Sequence, residues 1–307
     1  TVLVIGGAGS IGTACVREIL RLSPERVDVV DINENALASL ARAIRSDLEL
    51  GSRANVGFYA LDFGSWPMER FVGSTKRWDH IFNFAAVKHV RSEKNVPSTL
   101  HMLDVNIVKQ GRFFKFIAQN ELTRNYFAIS TDKAADPSSF MGASKRLLEY
   151  VVYGLSTGFS EPKVSSARFA NVAFSNGSLL ESFRGRLETK VPLACPKQTY
   201  RYFISPKEAA QICMIGMIKS PNRVIAVPKM TPEQHLVSLE SVVESFLKRH
   251  DFKTEYFINV EAAYAAIETL QDTLRYPVLL TPRDTAGEKE VEVFVGEGEE
   301  RFQSDLQ

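Results

Sequence analysis

Cysteine is scarce in this sequence, and its scarcity excludes two classes of protein. The three cysteines, Cys15, Cys195 and Cys213, are scattered and none belongs to a CxxC pair. Neither a disulfide scaffold nor a zinc ribbon is therefore expected. Cys15 and Cys213 fall in apolar helical patterns, so we expect the cysteines to be small buried hydrophobic residues of a protein from a reducing compartment.

Histidine is also scarce, and the net charge is close to zero. The five histidines do not fall at spacings typical of metal ligands, so we predict no metal site. They are His80, His89, His101, His235 and His250. The formal net charge is +1, which indicates no nucleic-acid partner and means that a negatively charged ligand must be held by local groups.

Long apolar runs are lacking as well. The sequence contains no stretch of roughly 20 apolar residues and no visible signal peptide, so we expect a cytoplasmic protein. The chain begins at Thr1, inside the first predicted strand, without an initiator Met. This start predicts upstream sequence, in which a membrane anchor could lie. The 307 residues, 45% hydrophobic and 24% charged, have the composition of a globular enzyme.

The N-terminal stretch has the pattern of a dinucleotide-binding fold. An apolar run at 2–5 precedes Gly6, Gly9 and Gly12, and helical spacing follows; such glycines permit a tight turn and close approach of a pyrophosphate. A second apolar strand ends at Asp31, about twenty residues after Gly12. Asp31 is placed to bind a ribose diol and would repel a 2'-phosphate, which favours NAD over NADP. Capping of the next helix is the alternative role for Asp31.

The densest set of polar groups lies near the middle of the chain. Residues 126–129 have the pattern of a buried strand, and a Ser-Thr-Asp-Lys sequence follows at 130–133. The carboxyl ends of strands are where open α/β sheets bind ligands. An amphipathic helix is predicted from Gly142, with Lys145 on its first turns.

This stretch resembles the active-site segment of extended short-chain dehydrogenase/reductases, most closely that of the UDP-N-acetylglucosamine 4,6-dehydratases of capsule and flagellin-glycan synthesis. The family segment reads S-T-D-K-A, then P, then M-G-A-[ST]-K-R. The matching positions are Ser130 to Ala134, Pro137, Met141 to Ala143, Lys145 and Arg146. One departure from the wider superfamily matters: its usual catalytic pair is a Tyr four residues before a Lys, and here that Tyr position holds Met141. Because a thioether cannot exchange a proton, another group must ionise the substrate hydroxyl.

The strand and helix alternation and the resemblance together predict an α/β protein. We expect a Rossmann-like doubly wound parallel sheet with a smaller C-terminal substrate-binding lobe. Residues 1–171 are predicted to form the NAD-binding Rossmann domain, to which 201–227 returns, and 172–307 mainly the substrate-binding lobe. A UDP-sugar substrate and a homo-oligomeric assembly are the expected partners.

The resemblance also implies roles for residues outside this stretch. The cofactor-binding set is Gly6, Gly9, Ser10, Ile11, Gly12, Asp31, Asp62, Ala85, Ala86 and Lys145. The substrate-binding set is Lys88, His89, Asn171, Arg201 and Glu288; Arg201 is included because a guanidinium matches a diphosphate. Alternatives stay open for four of these residues. They are helix capping for Asp62, an exposed loop position for Lys88, a capping role for His89 and a surface ion pair for Arg201. Asn106, a polar residue among apolar ones, is expected to bond backbone near the site.

The chemistry that the resemblance implies begins and ends with hydride transfer. NAD takes a hydride from C4 of a UDP-N-acetylhexosamine, for which UDP-N-acetylglucosamine is the leading candidate. The C4 ketone makes the C5 proton acidic, water leaves from C6, and the hydride returns to C6. Our hypothesis assigns Asp132 as acid, Lys133 as base, Thr131 to the C4 oxygen and Lys145 to the nicotinamide ribose. Met141 completes the catalytic set at the usual Tyr position.

Three other interpretations stay open at this point. A UDP-sugar 4-epimerase would share the C4 oxidation but would need no acid and base for C5 and C6. A non-catalytic, NAD-sensing regulatory protein would be consistent with the loss of the usual Tyr. Asp132 and Lys133 could instead form a structural ion pair.

Overall fold

The computed structural model describes residues 1–51, 55–75, 77–270, 273–282 and 291–302. The chain divides into two compact units. The first comprises Thr1–Phe169, Ser205–Pro228 and Val293–Gln307, and the second comprises Ala170–Ile204 and Lys229–Glu292. The return to the first unit begins at Ser205 rather than at the predicted position 201. The reason is that the strand carrying Arg201 pairs with strands of the second unit.

Strands and helices alternate along most of the chain. The strands are β1 Val2–Ile5, β2 Val27–Asp31, β3 Val56–Ala60, β4 Trp78–Asn83, β5 Thr123–Ile129, β6 Lys163–Ala167, β7 Asn171–Val172, β8 Leu193–Pro196, β9 Tyr200–Ile204, β10 Val224–Ala226, β11 Leu236–Ser238, β12 Lys253–Phe257 and β13 Arg275–Thr281. The α-helices are α1 Ser10–Arg21, α2 Glu34–Arg45, α3 Trp66–Ser74, α4 Val96–Leu103, α5 Gln110–Gln119, α6 Phe140–Ser156, α7 Leu179–Glu188, α8 Pro206–Ile218, α9 Pro232–His235, α10 Leu239–Lys248 and α11 Val260–Thr269. Single turns of 3-10 helix occur at Val90–Lys94 and Asp132–Ala134, and a π-helical segment at Asp104–Lys109.

The first unit is built on one parallel sheet of seven strands. Their order is β3-β2-β1-β4-β5-β6-β10, and every pairing in it is parallel. The direction of winding reverses between β1 and β4, the place where such sheets bind ligands at the carboxyl ends of their strands. The predicted Rossmann-like doubly wound sheet is confirmed.

The central strands are apolar on both sides because helices cover both faces of the sheet. Leu3 and Ile5 of β1 are buried together with Tyr126 of β5 in one core cluster. Helices α5 and α6 contribute Phe114 and Leu148 to the same cluster. The polar ends of the strands are therefore the part of the sheet that remains for chemistry.

The helical stretch between β4 and β5 is not one regular helix. It consists of α4, a π-helical segment and α5 in succession. The π-helical segment contains Asn106, whose buried amide bonds the main chain of the loop after β4. Strand β6 ends at Ala167, so Arg168 lies just beyond it.

The second unit has two three-stranded sheets, ordered β11-β9-β7 and β12-β13-β8. Its own core contains Phe183, Leu193, Val243, Leu247 and Val278. This separate core explains why residues 170–204 and 229–292 cluster as a compact body.

Two features are absent from the described residues. None of their helices is long and apolar enough to cross a membrane. Nor does the described part of the chain bring together three or more His, Cys, Asp or Glu side chains that could hold a metal ion.

Candidate active site

The glycine loop after β1 has the backbone geometry that its sequence predicts. Gly6 has a φ of +70°, a conformation that costs glycine little. A Cβ on Gly12 would lie 2.2 Å from the Gly6 carbonyl oxygen, so only glycine allows α1 to start so close to the loop. Ser10 and Ile11 form the first turn of α1. The amino-terminal end of α1 therefore follows the glycine loop directly, and a helix terminus of this kind favours a phosphate.

Asp31 lies beside this loop at the end of β2. Its carboxylate accepts hydrogen bonds from the Ala8 amide at 3.0 Å and from the Asn33 amide at 2.9 Å. The cap of α2 is Asn33, whose side chain accepts from Ala36. Asp31 therefore does not cap that helix itself, and its contact with the glycine loop suits the predicted ribose-binding role.

Asp62 follows β3 and is held by a lysine. Its carboxylate accepts from Lys109 Nζ at 2.7 Å and from the Gly64 amide at 3.0 Å. Burial raises the pKa of Asp62, but the hydrogen bond from Lys109 and that from Gly64 outweigh it and leave the pKa lowered. Asp62 is thus a fixed anion, and its predicted contact with adenine stays a prediction.

The loop after β4 carries four of the predicted residues. The Ala85 amide donates to Asn83 Oδ1 at 3.0 Å, and the two alanines are half-buried. The next part of the loop is held by Asn106, which donates to the Val87 carbonyl and accepts from the Val87 amide, both at 2.9 Å. The expectation that Asn106 bonds backbone near the site is confirmed. Farther along this loop, Lys88 and His89 are exposed.

The predicted catalytic side chains meet at the carboxyl end of β5. Thr131 Oγ1 donates to Asp132 Oδ1 at 2.7 Å. Lys133 Nζ lies 3.4 Å from Asp132 Oδ2. Asp132 is buried, whereas the Lys133 side chain is about one third exposed. A hydroxyl, a carboxylate and an amine are therefore joined in one chain of contacts, two strands or about 10 Å from the glycine loop.

Helix α6 packs closely against this turn. Ser139 caps it by accepting from the Gly142 amide at 3.1 Å. A Cβ on Gly142 would lie 2.4 Å from the Lys133 carbonyl oxygen, so the close approach requires glycine. Met141 is buried, and its amide donates to Glu93 Oε2 at 3.1 Å. The residue at the usual Tyr position is therefore tightly enclosed.

Lys145 lies on the same face of α6, one turn after Met141. Its side chain is 3% exposed, and no atom of the described residues accepts a hydrogen bond from its Nζ. Burial lowers the pKa of Lys145 to about 8, and the charge of Glu149 opposes this decrease. A buried amine without an acceptor is costly, which suggests that its partner is a ligand.

Next to Lys145 lies a buried ionic network that the sequence reasoning missed. Glu149 Oε1 accepts from Ser130 Oγ at 2.5 Å and from Arg168 Nε at 2.8 Å. Glu149 and Arg168 are 2% and 1% exposed. The signal available in the sequence was a glutamate four residues after Lys145 on an otherwise apolar helix face, because a charge at such a position needs a partner.

In the second unit, two predicted substrate residues meet at one carboxylate. Asn171 Nδ2 donates to Glu292 Oε1 at 2.6 Å, and Arg201 Nε lies 3.4 Å from the same oxygen. Arg201 is 9% exposed. Arg201 is therefore in an ion pair, but a buried one and not the surface ion pair that was the alternative. Its role toward a diphosphate stays a prediction. Glu288 lies outside the described residues, and the sequence reasoning missed Glu292.

The sheet order, the glycine loop and the Thr-Asp-Lys set together define an extended short-chain dehydrogenase/reductase. Within this class, the family model described as polysaccharide biosynthesis protein matches residues 2–262. The chain belongs to this family.

Two relatives and one solved structure illustrate the similarity. An uncharacterized membrane protein of Methanocaldococcus jannaschii is 29% identical over 259 residues, which are 83% of this chain and 74% of that protein. The capsular polysaccharide biosynthesis protein CapD of Staphylococcus aureus is 28% identical over 216 residues, 70% of this chain, and the match spans only 35% of CapD. The dTDP-glucose 4,6-dehydratase DesIV of Streptomyces venezuelae, solved with NAD bound, has a TM-score of 0.68 at 17% identity, covering 96% of this chain and 88% of that one. The last comparison shows a common fold.

Proposed function

We propose that this protein is an NAD-dependent 4,6-dehydratase that converts a UDP-N-acetylhexosamine into a UDP-4-keto-6-deoxy sugar. UDP-N-acetylglucosamine is the leading candidate for the substrate. The observation that carries the proposal is the contact chain from Thr131 through Asp132 to Lys133 at the carboxyl end of β5. It supplies the acid and base that loss of water across C5 and C6 requires.

The residues present fit a bound dinucleotide. The glycine loop and the start of α1 would hold the diphosphate. Asp31, already beside the loop, would accept from the ribose hydroxyls, and Asp62 would face the adenine. The unsatisfied buried Nζ of Lys145 would donate to the nicotinamide ribose. NAD bound in this way supplies a hydride acceptor for C4 and a hydride donor for C6.

Asp132 and Lys133 divide the proton transfers between them. Lys133, partly exposed at the edge of the turn, removes the proton from C5 once C4 is a carbonyl. Asp132 gives a proton to the departing C6 hydroxyl, so that the lost group is water. When the hydride is back on C6, the ammonium of Lys133 returns a proton to C5 and becomes an amine again. Asp132, having given its proton to the departing hydroxyl, is again a carboxylate that can accept a proton in the next turnover.

Thr131 provides a route for the proton that a Tyr would otherwise take. Its hydroxyl donates to Asp132 Oδ1, so a C4 hydroxyl bound at Thr131 can pass its proton to Asp132 as the hydride leaves. This transfer would reprotonate Asp132 and prepare it to act on C6. The enzyme would then need no proton exchange at Met141, whose buried thioether fills space beside the turn.

The second unit is proposed to bind the UDP part of the substrate. Arg201 and Asn171, joined by Glu292, are the groups of that unit proposed to face the diphosphate and sugar. Lys88 and His89, exposed after β4, are proposed to bind substrate as well. A homo-oligomer is the proposed assembly.

One NMR experiment separates the candidate functions. The protein is incubated with NAD and UDP-N-acetylglucosamine, and a new 6-methyl signal is expected. Deuterium placed at C4 should reappear in that methyl group. A C4 epimer without a methyl signal would instead identify a 4-epimerase, and no change in the sugar would favour the NAD-sensing regulatory protein.

A further inference from the structure

We propose that a C-terminal segment, Val293–Glu299, acts as a strap that holds the catalytic turn Asp132–Ala134 in its working position. We call this segment the C-terminal strap. Arg168, Glu299 and Asp136 are its positioning residues. The inference rests on the proposed function in one respect, namely that the turn carries the acid and the base.

The first anchor of the strap is Arg168, immediately after β6. Its Nη1 donates to the Phe294 carbonyl at 3.1 Å and to Glu299 Oε2 at 2.7 Å, and its Nη2 donates to Glu299 Oε1 at 2.9 Å. Arg146 of α6 also bonds the Glu299 carboxylate. Because Arg168 is buried, water screens this charge-assisted bonding little.

The same guanidinium reaches the start of the catalytic segment through Glu149. Arg168 Nε and Nη2 donate to the two oxygens of Glu149 at 2.8 and 2.6 Å. Glu149 in turn accepts from the Ser130 hydroxyl, and Ser130 directly follows β5. A continuous series of hydrogen bonds therefore connects Glu299 in the strap to the residue in front of Thr131.

The second anchor lies on the other side of the turn, at Asp136. The Glu297 amide donates to Asp136 Oδ1 at 2.9 Å. The strap passes so close that a Cβ on Gly296 would lie 2.8 Å from the same oxygen. Asp136 has a φ of +48°, a conformation that Asp and Asn tolerate better than other side chains. The backbone thus bends at the point where the strap holds it.

Both flanks of the turn are therefore fixed by a segment far away in the sequence. Within the turn itself, the Ala134 amide donates to the Thr131 carbonyl and the Ala135 amide to the Asp132 carbonyl, each at 3.0 Å. A short 3-10 turn with so few local bonds is weak alone. The strap supplies the missing restraint, and so keeps the carboxylate and the amine aligned.

Hydrogen exchange tests the restraint without any assay of activity. In Glu299→Ala and Asp136→Ala, amide exchange in the peptide covering 130–137 should become about tenfold faster, while peptides of β1 and β4 keep wild-type rates. Asp136→Asn retains the acceptor oxygen and should exchange like the wild type. The matched control for the strap is Glu300→Ala, at the exposed glutamate next to Glu299.

Activity per NAD-bound site is the second measurement. Glu299→Ala and Asp136→Ala should lower kcat about tenfold, with KM and the Kd of NAD within about twofold of wild type, since neither residue belongs to the proposed cofactor-binding or substrate-binding set. Asp136→Asn should restore kcat. Because the two anchors act through one strap, the double variant should be no more than slightly worse than either single variant.

The possible failures can be told apart. Unchanged amide exchange in 130–137 would refute the proposal that the strap restrains the turn. Faster exchange spread over the whole first unit would refute it as well, because that pattern indicates general destabilisation. If Glu299→Ala does not fold, Asp136→Ala and Gly296→Ala, both at the second anchor, where Asp136 is exposed, decide the question by the same exchange measurement. A wild-type protein that makes no 6-methyl product but shows the expected exchange pattern would refute the proposed function and leave the strap intact.

Discussion

Replacing Lys145 by methionine should have two effects at once: it should stabilise the folded protein, and it should abolish NAD binding and product formation. Methionine keeps the length of the side chain and removes an amine that has no acceptor among the described residues. Burial lowers the pKa of Lys145 to about 8 from an ordinary value of 10.5. That difference corresponds to a native-state cost of about 3 kcal/mol at pH 7. The neighbouring Glu149 is not left without a counter-charge, because Arg168 bonds both of its oxygens.

The sign of the effect follows from the two protonation states. Below about pH 8 the lysine is charged in both the folded and the unfolded protein, and the full cost applies. Between about pH 8 and 10.5 the folded protein loses its proton first, so the cost declines as pH rises. The gain of Lys145→Met should therefore be about 3 kcal/mol at pH 7 and should vanish above about pH 10.5.

The assay is urea unfolding followed by the fluorescence of Trp78, which is buried in β4 of the same unit. Lys109→Met is the matched control, because Lys109 is paired with Asp62 at 2.7 Å and its loss should give no stabilisation. NAD binding and product formation are measured on the same samples and should both be lost. Equal or lower stability of Lys145→Met at pH 7 would refute the reasoning. A gain that persists at pH 10.5 would show that packing, and not charge, is responsible.

Further predictions concern the turn, the helix and the strap. Asp132→Asn and Lys133→Ala should each reduce product formation about 10²–10⁴-fold while NAD binding persists; unchanged turnover by NMR would contradict the acid and base assignment. Gly142→Ala should cost about 1–3 kcal/mol of stability and most of the activity, because the new Cβ would meet a carbonyl oxygen. The control is Gly154→Ala on the same helix, which has open space around it and should stabilise the protein by about 0.5–1 kcal/mol. Burial raises the pKa of Glu299, but the hydrogen bonds from Arg168 and Arg146 outweigh it and lower that pKa to about 2. The contribution of Glu299 to the free energy of unfolding should therefore be present above pH 4.5 and decline as pH falls toward 2. Acid unfolding of Glu299→Gln should lack this pH-dependent contribution.

The geometry of the glycine loop and the position of Asp31 beside it could be predicted from sequence because these parts are local. The glycine loop and the start of α1 are contiguous, and Asp31 is one strand away, paired directly with β1. A strand, a turn and a helix in succession leave few alternatives for where the turn lies. The same is true of Thr131, Asp132 and Lys133, which are neighbours in the chain.

The ionic network could not be predicted in this way. Glu149, Arg168 and Glu299 come from α6, from the end of β6 and from the C-terminal strap, and Arg168 and Glu299 are 131 residues apart. Nothing in the local pattern of a glutamate indicates which distant arginine it meets. The meeting of Asn171 and Arg201 at Glu292 is of the same kind.

Sequence alone determined the class of the fold, the glycine loop and the order of the Thr-Asp-Lys set, because these depend on periodicity, turns and adjacent residues. Tertiary structure alone decided that the Nζ of Lys145 is buried without an acceptor in the described residues, and that Glu299 and Asp136 tie the strap to the catalytic turn. The physical reason is that burial and ion pairing depend on which surfaces pack together. Packing is a property of the folded chain as a whole.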